Sequence, residues 1–120
     1  DIKLAICDAE TDVYIGNIYL NKIDKTHRSA VLGILIGDKG YRGKGYGSEA
    51  IHHILRYSFE ELGLHRVSAL ILEDNIASRR TFEKLGFVQD GILRESLFKG
   101  GKFRNQVVVS LLESEFKQKI

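Results

Sequence analysis

The sequence predicts an α/β domain of the α+β type, a mixed and mostly antiparallel sheet with one parallel pair at its centre and helices flanking it. Three observations carry that prediction. β-rich runs separated by turn residues open and close the chain. Between them, one strongly amphipathic helix pattern lies between two nearly continuous apolar runs, and a strand, a crossover helix and a strand make a right-handed unit whose strands run parallel. The length, 120 residues, suits one core and hence one domain over 1–120.

Ile2 to Cys7 alternates loosely and is followed by turn residues from Asp8 to Asp12. A second strand runs from about Val13 to Leu20, with Gly16 interrupting its apolar alternation, and the two form an antiparallel hairpin. Asn21 to His27 is polar and turn-like. Ala30 to Ile36 is almost continuously apolar, which predicts a strand buried on both faces, and Gly33 within it predicts a bulge or a close backbone approach by a ligand.

From Ser48 to Leu62 the residues Ala50, Ile51, Ile54, Leu55, Ser58, Phe59 and Leu62 form one stripe at helical spacing, and Gly63 is placed to end the helix. His52 and His53 fall off that stripe and read as solvated or rim positions. Val67 to Leu72 reads as a buried strand. A shorter helix begins at Asp74–Asn75 and stops at Gly86, with Ala77, Phe82 and Leu85 expected to face the sheet. Phe87 to Leu93 and Gln106 to Leu112 form a last antiparallel pair around a turn at Gly100–Gly101, and Glu113 to Ile120 reads as a frayed tail or short helix.

Composition excludes several function classes. The 18 Lys and Arg against 16 Asp and Glu leave a net charge of +2, too small to draw nucleic acid by bulk attraction. One cysteine, Cys7, allows neither an internal disulfide framework nor a cysteine-based zinc site; it reads as a small apolar filler in a reducing, cytoplasmic setting. No apolar run is long enough for a membrane-spanning helix. Methionine is absent, so Asp1 is not a translation start and the chain is expected to be a trimmed or N-terminally incomplete domain.

The most informative stretch is Gly37–Gly47, in which five of eleven residues are glycine and Lys39, Arg42 and Lys44 supply positive charge. Amides brought together by glycines, placed just before a helix N-terminus, describe a phosphate cradle; a glycine-rich surface loop is the plainer reading. An NTP-binding P-loop is excluded because Gly43–Lys44 is followed by Gly45 rather than Ser or Thr. Gly45-Tyr46-Gly47-Ser48-Glu49-Ala50 fits a dinucleotide fingerprint in letter, but its first glycine lies nine positions after Ile36 instead of in the turn directly after the strand.

Arg42-Gly43-Lys44-Gly45-Tyr46-Gly47 at a strand-to-helix turn resembles the Arg/Gln-x-x-Gly-x-Gly/Ala signature of the GNAT superfamily of acyl-CoA-dependent N-acetyltransferases. Asn75 followed by a short helix ending in Gly86–Phe87 resembles the second signature of that superfamily. Asn75-x-x-Ser78, Leu93-Arg94-Glu95 and the Ile36-Gly37-Asp38-Lys39 loop look like its RimJ and RimL branch, which acetylates ribosomal-protein N-termini. The resemblance covers the whole chain but not the further strand and helices that the family carries upstream.

The resemblance implies acetyl-CoA as cosubstrate, no metal, and an amine acceptor, either a protein N-terminal amine or a small amine such as a polyamine or aminoglycoside. A non-catalytic module binding CoA or a dinucleotide is the alternative, and a homodimer is a common assembly in the family. Backbone amides of Arg42, Gly43, Lys44, Gly45, Tyr46 and Gly47 would hold the pyrophosphate. Main-chain groups of Ile34, Leu35 and Ile36 would meet the pantetheine arm, and the Asn75 amide would bond it too. Arg79, Arg80 and Lys84 would face the ribose phosphate, although a solvated helix face explains each equally well. The tyrosine that serves as acid in many members is Phe82 here, so Ser78 is the substitute, and Glu73 or Glu95 is the candidate base.

Overall fold

A computed structural model describes residues 1–37, 40 and 45–118. The described residues form β1 (Ile2–Cys7), β2 (Tyr14–Asp24), β3 (Ser29–Ile36), α1 (Tyr46–Arg56), β4 (Arg66–Leu72), α2 (Ile76–Lys84), β5 (Val88–Lys99), β6 (Lys102–Leu112) and α3 (Glu113–Gln118). The strands make one six-stranded sheet in the order β1-β2-β3-β4-β6-β5. Every neighbouring pair is antiparallel except β3 with β4, which is parallel, as the crossover through α1 requires.

One face of the sheet carries the core. Ile18 and Leu20 of β2, Ala30 and Leu32 of β3, Val67, Ala69 and Ile71 of β4, and Val107, Val109 and Leu111 of β6 are buried at alternate positions. They join Ile51, Ile54 and Leu55 of α1, with Phe59, Phe82, Phe87 and Phe116, in one cluster. The α1 stripe follows the 3.6-residue period, but the helix starts at Tyr46 and widens after Arg56 into a π-helical turn, Tyr57–Glu61. In that turn the buried Ser58 hydroxyl donates to the Ile54 carbonyl at 2.6 Å, which satisfies it inside the core.

Several expectations are corrected. β3 is buried on one face only, for Leu35 is 57% exposed. Gly33 stands in continuous register with Tyr19, and a Cβ there would meet the Tyr19 ring at an ordinary 3.6 Å, so it marks no bulge. Cys7 is exposed, not a filler. Ala77 is exposed because the burial of α2 rests on Phe82, set edge-on to Phe87 at 4.9 Å. The last hairpin extends over residues 88–112, well past the two short apolar runs that signal it. α3 is anchored by Phe116, which packs against Phe59 at 5.2 Å.

The glycine that the fold demands is Gly16. A Cβ there would lie 2.0 Å from the Leu35 carbonyl oxygen of β3 and 3.0 Å from the Ile36 Cα, so β2 and β3 approach too closely for any side chain. Gly16→Ala should therefore destabilise the protein by about 1–3 kcal/mol, the range for forced overpacking. Urea unfolding checks this; an unchanged midpoint would contradict the close approach.

Candidate functional site

The site is built where β3 and β4 part. Their parallel register runs from Ser29–Arg66 to Leu32–Ala69 and stops there, although β3 continues to Ile36 and β4 to Leu72. Beyond that point β3 remains paired with β2 through Ile34–Ile18, Leu35–Asn17 and Ile36–Gly16. β4 in turn remains paired with β6 through Leu70–Val108, Ile71–Val107 and Leu72–Gln106. Each strand is held by its outer neighbour, so a wedge opens between them, and Ile34, Leu35 and Ile36 line the β3 side of it.

The connection from Ile36 leads back to the N-terminus of α1. Arg42, Gly43 and Lys44 lie outside the described residues. Gly45 is the N-cap with φ 88° and ψ −6°, a left-handed conformation that glycine adopts without a Cβ penalty. Among the described residues no side chain caps this end, and the helical ladder begins with the Glu49 amide donating to the Gly45 carbonyl at 3.0 Å. The amides of Tyr46, Gly47 and Ser48 thus precede the first helical bond, at the positive end of the helix dipole. The Tyr46 side chain donates to Asp8 Oδ2 at 3.4 Å, while its backbone amide, the group expected to meet a pyrophosphate, stands in the first turn of α1. Gly47 packs against Ile34, since a Cβ added there would lie 3.8 Å from its Cδ1.

At the end of β4 the chain turns sharply into α2. The Asn75 amide donates to the Leu72 carbonyl at 2.9 Å, and Asn75 Oδ1 accepts from the Ser78 amide at 3.1 Å, making Asn75 the N-cap. Its Oδ1 is committed to the helix, which leaves Nδ2 as the amide donor for a ligand. Ser78, half-buried in the first turn, stands with its own amide held by that cap. Arg79 is engaged within the fold: its Nη1 donates to the Glu73 carbonyl at 2.9 Å and its Nη2 to Gln89 Oε1 at 3.5 Å, so it ties the β4 end to α2 and β5. Arg80 and Lys84 are exposed on α2.

Glu73 and Glu95 converge on a polar pocket of about 270 Å³ that Asp74, Lys102, Phe103, Arg104 and Asn105 also line. Asn105 joins the two glutamates: its Nδ2 donates to Glu73 Oε1 at 3.3 Å and its Oδ1 accepts from the Glu95 amide at 2.7 Å. Arg104 reaches Asp74 at 3.3 Å. Sequence reading missed Asn105, because a lone asparagine ahead of an apolar strand carries no pattern. Two carboxyls outside this pocket are held below the usual range. Asp90 is lowered by hydrogen bonds from Ser110 and then Arg66, and Asp24 chiefly by the His27 amide. Among the described residues no group of three or more His, Cys, Asp or Glu is placed to hold a metal ion, and no helix is long and apolar enough to cross a membrane.

Comparison with known proteins adds the following. A family model described as an acetyltransferase (GNAT) domain matches residues 1–88. The chain is 33% identical to the N-acetyltransferase YoaA of Bacillus subtilis over 93% of its own length, but spans only 63% of that relative. It is 31% identical to the spermidine N(1)-acetyltransferase of Vibrio cholerae, covering 95% of the chain and 65% of the relative. A solved structure of spermidine/spermine N-acetyltransferase SpeG from Vibrio cholerae superposes with a TM-score of 0.89 at 30% identity, over 98% of this chain and 68% of that one. YdaF of Bacillus subtilis, whose name provisionally assigns it to ribosomal N-acetylation, is 35% identical over 85% of the chain and 55% of its own length.

The cap at Asn75 yields a prediction. Asn75→Ala should cost about 1 kcal/mol, whereas Asn75→Asp, which keeps an acceptor for the Ser78 amide, should cost little. Equal losses in urea unfolding would show that the cap is not what the side chain contributes.

Proposed function

Because the chain belongs to the GNAT acetyltransferase family, we propose that the protein moves an acetyl group from acetyl-CoA to an amine. The observation that carries this reading is the wedge between β3 and β4, open beyond Leu32–Ala69 beside the uncapped N-terminus of α1. An extended thioester arm fits such a wedge as an added strand, with β3 main-chain groups as its partners. The left-handed Gly45 and the first amides of α1 suit the pyrophosphate. Asn75 Nδ2 and Arg80 are the side-chain donors offered from the α2 side, and the single cysteine suits a cytoplasmic reaction.

The chemistry asks for little from the chain. The thioester supplies an activated carbonyl, and the amine attacks it. Glu73, at the mouth of the polar pocket, takes the proton from the acceptor. A β3 amide polarises the carbonyl oxygen, and the Ser78 hydroxyl donates to the leaving sulfur. Phe82 cannot do so, being buried against Phe87 without a dissociable proton.

The acceptor is a small polyamine. This rests on the resemblance to the spermidine acetyltransferases and on the pocket at the end of β4 that bears Glu73 and Glu95. A protein N-terminal amine of the RimJ and RimL type is the second reading, favoured by the likeness to YdaF. Thiol release from acetyl-CoA by the full-length protein, with spermidine, spermine and a peptide with a free N-terminus as acceptors, separates the two. Release with spermidine but not with peptide is expected. The reverse would transfer the site to protein substrates, and CoA binding without release on any of the three would make the chain a sensor. In the same assay Ser78→Ala and Glu73→Gln should each lower kcat by roughly 100-fold, the low side of general acid–base contributions, with KM for acetyl-CoA little changed. Wild-type kcat in both would remove the two assignments.

A further inference from the structure

We infer that Asn105 is a positioning residue for Glu73, acting as a clamp that fixes the carboxylate against the strained bulge of β5. The inference rests on the reading of Glu73 as the proton acceptor. Strand alternation sets the problem. Val107, Val109 and Leu111 of β6 face the core, and Asn105 sits two residues before them on the same face, where an apolar residue would continue the pattern. A half-buried amide replaces it, and all of its described bonds run to the two glutamates.

Three hydrogen bonds meet at this residue. Its Nδ2 donates to Glu73 Oε1 at 3.3 Å, its Oδ1 accepts from the Glu95 amide at 2.7 Å, and its backbone carbonyl accepts from the Glu73 amide at 3.1 Å. The base is thus held by both its main chain and its side chain from one neighbour. The Glu95 amide lies where the β5–β6 register shifts between Leu93 and Leu97, and Glu95 itself has φ 48°, a left-handed conformation that costs a non-glycine residue energy. The bulge is pinned again by Ser96, whose hydroxyl donates to Gln106 Oε1 at 2.9 Å.

Only a primary amide of this length performs both side-chain tasks. It must accept from a backbone N–H and donate to a carboxylate. An aspartate accepts only, a lysine donates only, and glutamine is one methylene too long for the same two partners. A glutamate side chain otherwise loses rotamer freedom when it must point at a substrate, so fixing one oxygen sets the plane in which the second oxygen meets the amine. The side chain of Asn105 reaches the reaction only through Glu73.

The test uses kinetics of the full-length protein with acetyl-CoA and whichever of spermidine, spermine or peptide gives the greatest thiol release. Asn105→Asp keeps the acceptor for the Glu95 amide and replaces the donor to Glu73 with a carboxylate oxygen that repels it, so the bulge survives while the clamp opens. The expected result is a tenfold or greater fall in kcat, KM for acetyl-CoA within twofold of wild type, and a Tm within about 2 °C, with less than a twofold further effect in the Glu73→Gln background. Wild-type kcat in Asn105→Asp, or losses that multiply in the double variant, would overturn the inference while leaving Glu73 as the base. Wild-type kcat in Glu73→Gln would overturn the base assignment and the inference together. Asn105→Ala, which loses both partners, should lower Tm as well as kcat; a fall in Tm with kcat intact would again overturn it.

Discussion

The short parallel pairing of β3 with β4 is the constraint on which the molecule's architecture depends. Four registered pairs hold the two strands together at Ser29–Leu32, and past them each strand follows its outer partner. On the β3 side that partner is β2, drawn so close at Gly16 that a Cβ would meet the Leu35 carbonyl. On the β4 side it is β6, paired without a register shift along the whole of β4. Two sound antiparallel ladders therefore impose a gap in the middle of an otherwise continuous sheet. Past Leu32–Ala69 the two strands have no registered pairs with each other, and such a gap gives an extended ligand arm room to lie as an added strand.

The two helices that flank the gap meet it in different ways. α1 presents its uncapped N-terminus, where Gly45 bends the chain left-handed and the amides carry the positive end of the dipole. α2 presents a capped N-terminus, with Asn75 Oδ1 spent on the Ser78 amide. The proposed anion contact thus falls to α1, whereas α2 offers individual side chains. Arg79 on α2 holds the Glu73 carbonyl. Removing it would loosen the β4 end that carries the proposed base.

Much of this was legible in the residues, and the reason is periodicity. Ile51, Ile54, Leu55, Ser58 and Phe59 announce α1 because burial on one helical face repeats every 3.6 residues, and the crossover it makes fixes β3 and β4 as parallel. Asn75 and Gly86 bracket α2 through capping chemistry, which is local and therefore visible. What stayed hidden depends on partners far away in sequence. Phe116 looks like part of a charged tail until Phe59 is placed beside it. Cys7 belongs to an apolar segment but lies on the open side of a strand. The bonds of Arg79 to the Glu73 carbonyl and Gln89 are visible only in the fold. The glycine stretch stands out through composition, but Arg42 to Lys44 lie outside the described residues, and of its second half the structure describes Gly45, Tyr46 and Gly47 at the head of α1.

The same distinction separates the two halves of the proposed site. The cofactor side is made largely of backbone: main-chain groups of Ile34–Ile36, the amides at the head of α1, and a glycine with positive φ. Backbone recognition needs glycines and strand ends at fixed spacings, so it leaves a signature in sequence. The acceptor side is made of side chains brought together from the end of β4, the bulge of β5 and the start of β6, namely Glu73, Glu95 and Asn105. Their spacing in sequence is set by the lengths of α2 and the hairpin, which have no bearing on chemistry. A chain of this family can therefore declare its donor from one short motif, while its acceptor is decided by contacts that only the folded sheet assembles.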